Sequence, residues 1–199
     1  MIHIDAQPEP ASFDTKVRQR GLKFLADHGI DSSKPLPPKT SISPCWRYCL
    51  DELYDSYSGT CAYLAIRFQR MTGAGSVDHY VEKSPKPSLA YEWSNYRLAC
   101  SRMNTCKREY DDVLDPFKLA DGWFHLELVS GRIFANPSLT TQEVTSVAAT
   151  ISRLGLDEPG NRKIRVEHWS DFIEQEISSS YLRKISPFVW MEANRQGLL

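Results

Sequence analysis

Residues Asp31 to Pro44 read "DSSKPLPPKTSISP" and carry four prolines in one short run. Proline lacks a backbone donor and fixes its own φ, so no helix or central strand runs through this stretch. The segment is therefore a linker or an extended surface arm, and it cuts the N-terminal part of the chain in two. Before it, Ala11 to Gly29 reads as a helix. Ser12 can cap it, Phe13, Val17, Phe24 and Leu25 make its apolar stripe, and Gly29 ends it. After it, "CWRYCLDELYDSYSG" sets Trp46, Leu50, Leu53 and Tyr57 at helical spacing, and Gly59 closes the turn.

The pattern then changes. "CAYLAIRFQRMTGAGSVDHY" offers two short β-like runs about Gly73-Ala74-Gly75. A polar and aromatic loop, "VEKSPKPSLAYEWSN", follows, and "ACSRMNTCKREYDDVL" reads as a helix, so the expected order is hairpin, loop, helix. "WFHLELVSGRIFAN" alternates Phe124, Leu126 and Leu128 and turns at Ser130-Gly131, a second hairpin. The C-terminal third is helical. Thr140 and Glu143 form a capping-box pattern, Val144, Val147, Ala148, Ile151 and Leu154 share a face, and Gly155 stops the helix. A further helix holds Ile164, Trp169, Phe172, Ile173 and Ile177, and Pro187 interrupts the last one. The expected class is α+β, mostly helical, with a small central β-and-helix unit and a second small hairpin. The segments 1–59, 60–117 and 118–199 together form one compact domain.

Charge limits the partners. The formal net charge is −1, so a nucleic-acid contact must use a local basic patch or a partner's charge. Five cysteines, an odd number, and an N-terminus without an apolar leader argue against a secreted disulfide framework. No apolar run is long enough to span a bilayer. These features describe a cytoplasmic protein of a reducing compartment that does not enter membranes.

The chemistry gathers around "SVDHYVEKSP". Hydrolysis of a phosphodiester needs a base for water and a hard cation for the developing charge. Asp78 supplies a carboxylate and His79 an imidazole base. Neighbours on a strand point to opposite faces, so a kink where the strand ends, or a metal bridged by substrate, must reconcile the two. Asn104 offers a second oxygen ligand from the following helix. Lys107 and Arg108 lie at i+3 and i+4 from it, where a phosphate can be held, with Arg97 and Arg102 nearby. Asn95, at the join between loop and helix, can bond backbone across the loop and brace the base.

These residues carry a resemblance. "VDH", "EWSNYRLAC", "MNTCK" and "VLDPF" resemble the HNH (ββα-metal) endonucleases, in particular the HNH subunit of the Septu anti-phage systems and of related retron-linked effectors. The flanks "EPASFDTKVRQRG" and "ISRLGLDEPGNRKIR" are similar to the same group, although the specific motif occupies only 60–117. The resemblance implies a ββα-metal module at 60–117, with His79 as general base, Asn95 holding it, and Asp78 with Asn104 as ligands of one Mg²⁺ or Mn²⁺. Lys107, with Arg108, Lys83 and Arg102, is implied as the phosphate and nucleic-acid contact. It also implies a DNA substrate, an SMC/ABC-type ATPase partner, and docking through the N- and C-terminal helical parts.

Two departures qualify it. The group binds a structural zinc through two Cys-x-x-Cys pairs, whereas this chain pairs Cys61 with Leu64 and Cys100 with Met103. Two thiolates do not make a four-ligand site, so the expectation is that no structural zinc is bound and that an apolar cluster replaces it, with rescue by Cys45, Cys49 or Cys106 as the alternative. Glu82 stands where the group often has proline, as an added charge or a spare ligand. The other functional readings are an HNH-derived interaction subunit without turnover, and an RNA-directed nuclease. Cys45 and Cys49 read as core thiols, and Trp93 as packing beneath the loop. Arg162, Lys163 and Arg165 read as a solvated helix face. His3, His28, His125 and His168 read as surface or structurally satisfied residues.

Overall fold

The structure is a computed structural model that describes residues 1–72, 74–108 and 110–199. The first helix begins with a π-helical turn, Asp14–Arg18, and continues as α1, Gln19–Asp27. Ser12 does not cap it, because its hydroxyl donates instead to Glu52 Oε1 at 3.1 Å. Gly29, at φ 62°, ends it as expected. The proline-rich stretch carries no helix or strand. It is pinned along the body by Leu36 N–H donating to the Ser84 carbonyl at 2.8 Å and by the buried Ile42. A 3-10 turn, Cys45–Cys49, leads into α2, Leu50–Ser56. Gly21 faces the Tyr91 ring so closely that a Cβ there would lie 2.3 Å from ring carbon. Tyr91 is fully buried and cannot swing away. Gly21→Ala is therefore expected to destabilise the fold by about 1–3 kcal/mol through overpacking, read as a lower urea midpoint.

The hairpin expected within 60–80 is not the one that forms. Strand β1, Gly75–His79, pairs antiparallel with β2, Tyr96–Cys100, and Asp78 stands opposite Arg97 and His79 opposite Tyr96. Residues 61–66 instead make a tight turn about a single bridge between Thr60 and Arg67. Cys61 N–H donates to the Ile66 carbonyl at 3.0 Å, and Ala65 adopts φ 52°. Gly73, in the expected turn, lies outside the described residues. The sequence hid β2 because it is covered on both sides. Tyr96, Arg97, Leu98 and Ala99 are all buried, which erases the alternation that marks a half-exposed strand. Helix α3, Ser101–Lys107, follows at once and is shorter than expected, ending where Arg108 takes φ 45°.

The second hairpin forms as read, β3 Phe124–Glu127 with β4 Arg132–Ala135. Helix α4, Thr141–Leu154, carries the full Thr140–Glu143 capping box and stops at Gly155 in the left-handed conformation. Helix α5, Pro159–Ile173, starts at a proline, and Ile177 falls beyond its end. Helices α6, Ser179–Ile185, and α7, Pro187–Arg195, are separated at Pro187. One correction concerns α5. Arg165 is not on a solvated face but only 1% exposed, its guanidinium donating to the Gly131 and Leu156 carbonyls at 3.1 and 2.9 Å. Those carbonyls sit at a hairpin tip and just past a helix end, where backbone acceptors lack a regular partner.

The mixed α+β class is thus observed. The β1–β2 pair lies between two apolar clusters. One gathers Phe13, Leu53, Val77, Tyr91, Tyr96 and Leu98. The other gathers Cys61, Tyr63, Leu64, Ala99 and Met103 with the second hairpin and the C-terminal helices. Among the described residues no helix is long and apolar enough to cross a membrane.

Candidate functional site

His79 is the last residue of β1, and the chain bends at Tyr80. Its imidazole is 8% exposed and sits edge-on between Trp46 and Tyr96, at ring separations of 4.7 and 5.1 Å with interplanar angles of 87° and 77°. Nε2 lies 2.9 Å from the Ala90 carbonyl, which can only accept, so Nε2 carries the proton. Tyr96 hydroxyl donates to the same carbonyl at 2.7 Å and fixes its direction. Burial lowers the His79 pKa to about 4, so the ring is neutral at pH 7 and Nδ1 holds the free lone pair. Among the described residues nothing donates to Nδ1.

The same shift has a consequence for stability. The unfolded chain takes up the proton near pH 6.5 and the folded chain only near 4, so the stability present above pH 6.5 is lost progressively as pH falls through that window. In metal-free buffer the loss from pH 7 to pH 5 is expected to be about 2 kcal/mol from His79, and urea unfolding of His79→Gln should lack that component.

Asn95 braces this arrangement. It lies in a 3-10 turn, Trp93–Asn95, just before β2, and is buried. Its Nδ2 donates to the Val81 and Leu89 carbonyls at 2.9 and 3.1 Å, and its Oδ1 accepts from Val81 N–H at 2.8 Å. Three bonds from one side chain tie both ends of the loop that presents the Ala90 carbonyl.

Asp78 points to the other side of β1. It is 3% exposed, and the buried Tyr63 hydroxyl donates to its Oδ2. Burial raises its pKa, and Lys107, the Tyr63 bond, Arg97 and Lys83 pull against that. Lys83 and Lys107 also act electrostatically on His79, so the two neighbours share one cationic surrounding although their side chains diverge. Asn104, on α3, donates through Nδ2 to Ser76 Oγ at 3.1 Å and to the Val77 carbonyl at 3.4 Å. With its amide nitrogen turned to β1, its Oδ1 accepts no bond among the described residues, and neither does Asp78 Oδ1.

A cleft of about 840 Å³ lies beside this end of the fold, lined by Glu82, Lys83, Asn104, Thr105, Arg108 and Tyr110. The basic residues expected to meet phosphate divide here. Lys83, whose ammonium is 5.5 Å from the Trp46 ring centre, and the exposed Arg108 line the cleft. Lys107 is buried, with its ammonium donating to the Tyr80 carbonyl at 2.9 Å. Arg102 is paired with Glu158, which it reaches before the start of α5. Arg97 is buried in a two-bond pair with Asp115, at 2.9 and 2.8 Å, beneath Phe117 at 3.6 Å.

Cys61, Leu64 and Met103 are buried in one apolar cluster, and Cys100 packs against it. The Cys61 thiol hydrogen bond holds Cys100 below the usual thiol pKa, while burial pushes Cys61 up. The four positions are therefore neighbours, filled by two thiols and two apolar side chains. Cys45 and Cys49 are buried core thiols and Trp93 is buried, donating to the Gln7 carbonyl at 2.8 Å. Among the described residues no group of three or more His, Cys, Asp or Glu is placed to hold an ion. An aspartate with an asparagine lies outside that description. Each leaves one oxygen unengaged, which suits a hard divalent cation that keeps water among its ligands.

Sequence reasoning missed Tyr63, Trp46, Tyr96 and the Ala90 carbonyl. None carries a local signal, since each acts through a contact with a residue distant in the chain. No family model and no curated protein matches the chain.

Proposed function

We propose that the chain is a metal-dependent nuclease of the HNH type that hydrolyses DNA phosphodiester bonds, acting as the effector subunit of an anti-phage complex with an SMC/ABC-type ATPase. The observation that carries this is the His79 tautomer. A neutral imidazole closes a β-strand, its Nε2–H is fixed on a carbonyl, and its Nδ1 is left as an acceptor, which is the state a general base needs. The strand–strand–helix order and the Asn95 brace support the same reading. In it, 75–107 is a ββα-metal unit.

His79 Nδ1 takes a proton from the water that attacks phosphorus. Asp78 and Asn104 would hold a Mg²⁺ or Mn²⁺ through one oxygen each, and the ion would supply stabilisation of the negative charge that develops in hydrolysis. Lys83 and Arg108 hold the backbone phosphate along the cleft without reading bases, so little sequence preference follows. Arg102 and Lys107 keep the frame.

A second reading, an interaction subunit without turnover, is favoured by one observation: neither Asp78 nor His79 lines the cleft. Supercoiled plasmid, single-stranded DNA and RNA incubated with the protein and Mn²⁺ or Mg²⁺, with and without the ATPase, separate the readings. Metal-dependent nicking that EDTA abolishes is the expected result. Cutting of RNA alone redirects the substrate, and no cutting in any mixture leaves the interaction subunit.

A further inference from the structure

We propose that Tyr63 is a positioning residue that restricts Asp78 to binding a cation through a single oxygen. The inference rests on the nuclease reading of Asp78. Tyr63 is fully buried, and its hydroxyl donates to Asp78 Oδ2. No other described residue donates to that carboxylate. A phenol that bonds one oxygen blocks a chelating, two-oxygen grip and leaves Oδ1 as the ligand atom. It also orients the carboxylate plane, as outer partners of metal ligands do. Lys107, Arg97 and Lys83 surround the carboxylate with positive charge, yet none of them donates to it directly. Among the described residues Tyr63 is thus the one directional contact on a group otherwise held by diffuse charge.

The turn that carries Tyr63 explains why it can do this. Residues 61–66 are fixed by the Cys61–Ile66 and Ala65–Cys61 backbone bonds at 3.0 and 2.9 Å, and by Ala62 N–H donating to the Leu98 carbonyl of β2 at 2.8 Å. Cys61 and Leu64 anchor the turn on either side of Tyr63 in the same cluster as Met103. In this arrangement the Cys61–Leu64 and Cys100–Met103 positions form an apolar platform that aims a phenol at Asp78. A buried tyrosine needs an acceptor in any fold, but a backbone carbonyl would have served, as for Tyr96 and Tyr91.

The test is Mn²⁺ binding by the full chain, followed by electron paramagnetic resonance of free Mn²⁺. Tyr63→Phe removes one oxygen and keeps the ring. It is expected to weaken Mn²⁺ binding about tenfold or more, while kcat at saturating Mn²⁺ changes far less. A general loosening of the core would lower both together. If Tyr63→Phe binds Mn²⁺ as the wild type does while Asp78→Asn loses binding, the inference is overturned and the nuclease reading stands. If the wild type binds no Mn²⁺, both fall. A measurement that needs no folded Tyr63 variant is the carboxylate infrared difference spectrum of Mn²⁺-loaded against free wild type. A single-oxygen splitting supports the inference and a chelating one overturns it.

Discussion

Replacing His79 by alanine is expected to lower the rate of plasmid cleavage by about 10²–10⁴-fold, the range a positioned general base contributes. The size of the effect follows from the geometry. Only Nδ1 of this ring has a free lone pair, and Nε2 is committed to the Ala90 carbonyl. Mn²⁺ binding should survive, since Asp78 and Asn104 do not touch His79 through any hydrogen bond. Some stability is lost with the aromatic edge contacts, about 1–3 kcal/mol. The Ala90 carbonyl keeps the Tyr96 hydroxyl, so no buried acceptor is orphaned. Cleavage by His79→Ala at more than a tenth of the wild-type rate, with the fold intact by circular dichroism, would remove His79 from the mechanism.

The largest loss of stability is expected at Asp115. Asp115→Ala should cost about 3–5 kcal/mol in urea unfolding, because it leaves a buried guanidinium without its anion. Both side chains of the Arg97–Asp115 pair are 4% exposed. Arg97 would keep only the Ser94 and Tyr96 carbonyls, at 2.8 and 3.0 Å, and the Phe117 N–H would lose its bond to Asp115 Oδ1. The damage should reach the site as well. Arg97 stands opposite Asp78 in the β1–β2 register and packs against Tyr80, the residue after His79. Replacing both partners with apolar residues should cost much less than removing one, since no unpaired charge remains. A single-variant loss under 1 kcal/mol would show that Arg97 finds water or another partner.

The chain by itself determined whatever depends on residues a few positions apart. The Thr140–Glu143 cap, the stop at Gly155, the break at Pro187 and the turn at Ser130-Gly131 are all set within about one helical turn or one tight loop, so their residue types suffice. The expected diverging faces of Asp78 and His79 belong here too, because strand alternation requires them. Tertiary structure decided the rest. It paired β1 with β2 and not with 61–66, and because both faces of β2 are covered its sequence has no alternation to show this. It turned Lys107 inward, tied Arg102 to Glu158 and Arg97 to Asp115, and sank Arg165. A cation's role depends on which acceptor lies within 3 Å or so, and those acceptors come from distant segments. The contact between Tyr63 and Asp78 is of the same kind. The sequence singles out Asp78 but not Tyr63, and only the packing of the 61–66 turn against the first sheet brings phenol to carboxylate.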